Sequence, residues 1–187
     1  MVRLRKLYLD GKLLECPHPF EDEIDWVVRT NHRLVFESIS RIEGEAEPDE
    51  IEDGYSNELR RAANSLALVG LVTTLHHWIS IFVEELTKEN ATDRSLVRNL
   101  KTLDERTGVS PIPIQFFEEL VTVRDSIIHA HSQIQWTFRH AREVPQRYAD
   151  TASGEVQFTE ADLNEAIQKS ITLVKVVRRP IRSSRSV

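Results

Sequence analysis

The sequence predicts an all-α domain built as an up-and-down helical bundle, and three observations carry that expectation. Apolar residues recur every three or four positions over several long segments, the period of a helix with one face on a core. The middle of one segment, 56–88, is apolar almost all round, as a central helix with neighbours on several sides would be. Alternation with period two, the mark of strands, is confined to 135–158. The 187 residues suffice for one domain with a sizeable core and not comfortably for two.

Residues 1–20 read as an N-terminal arm. Residues 21–42 form an amphipathic helix, with Ile24, Val27, Val28, Leu34, Val35, Ile39 and Ile42 on its apolar face. Gly44 and Pro48 end it, and 43–55 is an acidic loop. The central helix follows over about 56–88. Its small residues, Ala62, Ala63, Ala67 and Gly70, allow close approach by another helix. A short helix spans about 93–106, with Leu96, Leu100 and Leu103 on one stripe, and Thr107-Gly108 stops it. Pro111 and Pro113 make an extended entry to the next element, because each disfavours helix in the residue before it.

The next helix covers about 114–134, striped by Phe116, Phe117, Leu120, Val123, Ile127 and Ile134. Residues 135–158 read as a short hairpin or irregular excursion. The last helix has the clearest start. Thr159 is its N-cap, Asp162 occupies the capping-box position, and Phe158 and Leu163 occupy the staple positions. Pro180 closes it, and 180–187 is a basic tail. The whole chain is one domain, with 56–179 as its core.

Composition excludes several classes. The chain has one cysteine, Cys16, so disulfide frameworks and cysteine zinc sites are excluded, and a reducing, cytoplasmic location is expected. The longest unbroken apolar run, residues 66–72, is far short of the ~20 residues of a membrane span. The N-terminal segment has charges every few residues and does not read as a signal peptide. Net charge is −6, the opposite of a duplex-coating protein. The acidic residues gather at 37–58, as a solvated linker or as a patch for a basic partner. The basic tail reads as a solvated end or a phosphate contact. There is no Walker loop, dinucleotide glycine motif or GxSxG elbow.

The segment FFEELVTVRDSIIHAHSQI carries the most information. Arg124 and Asp125 interrupt an otherwise apolar helix, and His129 and His131 follow. This arrangement resembles the HEPN superfamily, whose signature is an Arg, a following polar residue, then a His after four to six further positions. Arg124-Asp125-Ser126-Ile127-Ile128-His129 satisfies it with four intervening residues, and Arg124 to His131 with six. The order of elements also agrees over roughly 56–179.

The resemblance implies metal-independent RNA cleavage, with no cofactor and no metal. It also implies a homodimer whose two motifs line a shared cleft, and a protein partner of the antitoxin or phage-defence kind. RNA cleavage of this type proceeds by attack of a 2′-hydroxyl on the adjacent phosphate, leaving a 2′,3′-cyclic phosphate. It requires proton transfer near neutral pH, which His supplies, and positive charge on the phosphorane-like transition state, which Arg supplies. Arg124 is thus the candidate electrophile, His129 the general acid/base, Asp125 its orienter, and His131 an auxiliary candidate. Asp125 lies four residues before His129, hence beside it on a helix.

At ~100° per residue, Arg124 and His129 lie ~140° apart on an ideal helix, whereas His131 shares the Arg124 face. Arg reach, a local distortion of the helix or a composite site of two copies would reconcile the first pair. The competing reading is a non-catalytic interaction or regulatory bundle, binding a protein partner or a nucleotide, in which Arg124-Asp125 is only an ion pair. His76 and His77 lie ~100° apart on the central helix and read as one buried and one exposed histidine, not a metal site. Glu84 and Glu85 read as solvated. Asn64, Ser65, Thr73 and Thr74 are candidates for bonds between helices. Arg139, His140, Arg142 and Arg147 would form a positive rim or merely decorate a surface hairpin.

Overall fold

The computed structural model describes residues 7–9, 12–14, 53–108, 112–129, 132–138 and 140–183. They are mostly helical, with three small two-stranded antiparallel sheets. A hairpin of β1 (Leu7–Leu9) and β2 (Lys12–Leu14) lies where only an arm was expected. Four α-helices follow: α1 (Asp53–Thr87), α2 (Leu96–Thr107), α3 (Ile114–His129) and α4 (Glu160–Ser183). The helix expected over 21–42 and most of the acidic loop lie outside the described residues.

α1 is central, as its all-round apolarity requires. It packs against α2, α3 and α4. Leu68, Leu71, Leu75 and Ile79 are wholly buried between them. They meet Leu100 and Leu103 of α2, Phe117, Leu120 and Val123 of α3, and Leu163, Ala166 and Val177 of α4 in one contiguous core. By length and composition the stretch Arg60–Thr87 could cross a membrane, which the longest apolar run alone did not suggest. In this fold it serves as the core helix, with half of its most apolar window buried.

Caps set the helix limits. Ser95 caps α2, its hydroxyl accepting from the Arg98 N–H at 3.3 Å. The helix therefore starts later than the expected residue 93. Gly108 ends it in the left-handed conformation, φ 57°, as Thr107-Gly108 suggested. At α4, Thr159 Oγ1 accepts from the Asp162 N–H at 3.2 Å, and Asp162 Oδ2 accepts from the Thr159 N–H at 2.8 Å. The expected capping box is therefore formed, with both staple residues, Phe158 and Leu163, buried. Replacing Thr159 with Ala is expected to cost about 1 kcal/mol of stability, the usual worth of such a cap, measured by urea unfolding.

Two helix ends differ from expectation. α4 runs through Pro180 to Ser183, so Pro180 does not close it; its φ is compatible with a helix, although it gives up one backbone bond and crowds the preceding turn. α3 stops at His129, five residues before the expected 134. Ser126, buried near its end, catches the returning chain. Its carbonyl accepts from the Ser132 N–H at 3.2 Å, and its hydroxyl donates to the Gln133 carbonyl at 2.7 Å. Ser132 takes the left-handed conformation, φ 63°, that reverses the chain. Ile134 then packs against the core from beyond the helix.

The expected excursion at 135–158 is two small hairpins. β3 (Gln135–Phe138) pairs with β4 (His140–Glu143), and β5 (Ala149–Asp150) with β6 (Glu155–Val156). A 3₁₀ turn, Gln146–Tyr148, joins them and buries Tyr148. Arg147 covers that turn. Its guanidinium lies 4.4 Å from the Tyr148 ring centre and 5.1 Å from that of Phe116, and pairs with Glu119 at 2.7 Å. Arg147 therefore fastens the excursion to α3. Arg139 lies outside the described residues.

Candidate functional site

An open cleft of about 750 Å³ lies where α1, the N-terminus of α2 and the middle of α3 meet. α1 contributes Val72, Thr73 and His76. The start of α2 contributes Ser95, Leu96 and Val97. α3 contributes Glu118, Val121, Thr122, Arg124 and Asp125, and Glu143 comes from β4. The lining mixes aliphatic Val72, Leu96, Val97 and Val121 with charged and hydroxyl groups.

Arg124 and Asp125 are thus brought together at the cleft. Arg124 Nε lies 3.0 Å from Asp125 Oδ1, and the two side chains are 28% and 17% exposed. The ion pair of the competing reading therefore exists, but it lines an opening and is not sealed in the core. His129 is the last residue of α3, is exposed, and does not line the cleft. Five residues of helix place it ~7.5 Å further along the axis than Arg124. His131 lies outside the described residues.

His76, read from the sequence only as one of a buried and exposed pair with His77, is a cleft residue. It is half-buried, whereas His77 is exposed and sets its ring edge-on to Trp78, with centres 6.3 Å apart. His76 Nε2 lies 2.6 Å from the backbone carbonyl oxygen of Arg94. A carbonyl only accepts, so Nε2 carries the proton.

The loop that supplies this carbonyl is fastened from α1. Glu84 Oε1 accepts from the Ala91 N–H at 3.0 Å, the Thr92 N–H at 3.2 Å and the Thr92 hydroxyl at 2.8 Å. Glu84 is therefore a latch, contrary to the solvated role expected of it. Arg94 is itself held by Glu89 at 2.6 Å. Buried Asn99 closes the arrangement, donating to Ser80 Oγ and to the Ala91 carbonyl, both at 3.0 Å. Of the expected inter-element hydroxyl and amide contacts, Asn64 donates to the Phe158 carbonyl at 3.3 Å, whereas Thr73 bonds only within its own helix, to the Val69 carbonyl.

The Ala91 N–H, the Thr92 hydroxyl and the Thr92 N–H hold the Glu84 carboxyl below its ordinary value of 4.5. A carboxylate whose pKa is depressed by folding contributes stability above its ordinary pKa and loses it as pH falls through the depressed value. The latch is therefore intact at neutral pH and opens on acidification below 4.5. Amide exchange at Ala91 and Thr92, corrected for intrinsic rates, is expected to accelerate over that range in the wild-type chain. In Glu84→Gln it is expected to be fast already at pH 6.

Among the described residues, no three His, Cys, Asp or Glu side chains come together as a metal-binding group. No protein-family model, curated protein or solved structure matches the chain. The functional reading therefore rests on the residues themselves.

Proposed function

We propose that this chain is a HEPN-type endoribonuclease that cleaves RNA without metal, in a composite site assembled from two copies. The observation that carries the reading is the placement of Arg124 on an open cleft, near the end of a helix that terminates in an exposed His129. Both groups required by the chemistry are thereby accessible from solvent. Arg124 holds the scissile phosphate and stabilises the charge that builds on its oxygens. Asp125, with Oδ1 3.0 Å from Arg124 Nε, stands beside the guanidinium as its counter-ion. His129 transfers protons. A second copy would bring the two groups to one phosphate, since the two side chains leave one helix in different directions.

The test is incubation of total tRNA and a labelled mixed-sequence RNA with the purified chain in EDTA, with the product ends identified. The reading expects 2′,3′-cyclic phosphate and 5′-hydroxyl ends. Intact RNA at micromolar protein contradicts it.

A specific observation favours a second reading, that of a binding module. Glu118, Asp125 and Glu143 surround the cleft against one arginine, a balance suited to a basic protein segment such as an inhibitory partner would present. The two readings respond oppositely to the rim. Under the nuclease reading, Glu118→Gln with Glu143→Gln is expected to raise kcat/KM for RNA severalfold at low salt, because fewer charges repel the approaching backbone. Under the binding reading, the same double substitution leaves RNA untouched and weakens the basic partner.

A further inference from the structure

We infer that His76 is the general base of the cleft, taking the proton from the attacking 2′-hydroxyl. This rests on the nuclease reading above and extends it to a residue outside the motif. Three observations lead to it. His76 lines the same cleft, within one subunit, as Arg124 and Asp125, whereas His129 does not. Its Nε2 proton is committed to the Arg94 carbonyl at 2.6 Å, so in the neutral ring Nδ1 holds the lone pair and is the atom that accepts a proton. The acceptor that fixes this tautomer is itself immobilised, by Glu84 on Ala91 and Thr92 and by Glu89 on Arg94.

A base oriented by a second group that is held in place by a third is the arrangement proton abstraction calls for. The same carbonyl stabilises the ring after protonation, since both nitrogens then donate. In the step itself, Nδ1 of His76 takes the 2′-hydroxyl proton as the O2′–P bond forms. The P–O5′ bond breaks, and a His129 brought in by the second copy, as imidazolium, gives its proton to the departing 5′-oxygen. Arg124 neutralises the charge on the phosphate oxygens throughout. One histidine thus enters each turnover neutral and the other charged, and they exchange states in the course of it.

The test measures cleavage of the mixed-sequence RNA in EDTA by the wild-type chain and by His76→Ala and His76→Asn, with circular dichroism reporting the fold. The expected result is a fall in kcat of a hundredfold or more with KM changed less than threefold, and partial recovery of His76→Ala by added imidazole. Wild-type kcat in folded His76 variants overturns this inference alone. Intact RNA with the wild-type chain overturns the nuclease reading, and this inference with it. One measurement needs no variant: in the wild-type protein, the ring nitrogen resonances of His76 should move on addition of uridine 3′-monophosphate, and an unmoved ring overturns the assignment.

Discussion

Arg124→Ala should lower kcat for RNA cleavage by roughly 10²–10³-fold while leaving the fold intact, the usual cost of removing one donor aimed at developing transition-state charge. The side chain is 28% exposed at a cleft, with its Nε buried beside Asp125, so an unchanged melt is what makes the loss chemical and not structural. Arg124→Lys should recover little, because a single ammonium does not reproduce the two-pronged approach of guanidinium to phosphate. His129→Ala should fall by a comparable factor, ~10²–10⁴, as for other proton-transfer groups. The measurement is initial cleavage rate on one labelled RNA, with thermal melts run alongside. An Arg124→Ala protein as active as wild type would show that the Arg124–Asp125 pair is structural.

Phe117→Ala should be the most damaging single change to the fold. Its ring is wholly buried, meets Phe116 edge-on with centres 5.4 Å apart, and sits where α3 joins the core. Truncating a buried Phe costs about 3–5 kcal/mol, against a total stability of about 5–15 kcal/mol for a domain. Urea unfolding followed by circular dichroism should show a large drop in midpoint with an unchanged slope. The cleft should suffer as well, since Glu118, Val121 and Thr122 project from the same helix.

What the sequence revealed and what it hid divide along physical lines. The helices of the core were legible because burial imposes its period directly on residues such as Leu96, Leu100 and Leu103. The start of α4 was legible because Thr159, Asp162, Phe158 and Leu163 act within a few residues of one another. The end of α3 was not, because it is set by Ser126 bonding to Ser132 and Gln133, and serine carries no helical stop signal of its own. Pro180 misled in the other direction, since its φ suits a helix even as its missing N–H weakens one.

The site was half legible. Arg124 and Asp125 declare themselves as charges within an apolar helix. His76 could not be found the same way. It lies 48 residues before Arg124 in the chain, and only the packing of α1 against α3 brings the two to one cleft. Its partner, a backbone carbonyl, leaves no trace in side-chain identity. Glu84 was hidden for the same reason, because its ligands are mainly the amides of a loop whose course the sequence does not specify.

The most direct test of the central claim compares a mixed-sequence RNA with its 2′-O-methyl counterpart, each incubated with the wild-type chain in EDTA. If the 2′-hydroxyl is the nucleophile and no metal is needed, the RNA is cut to products with 2′,3′-cyclic phosphate ends and the methylated strand stays whole. If both strands are cut, or neither, the account of this chain as a metal-independent ribonuclease is wrong.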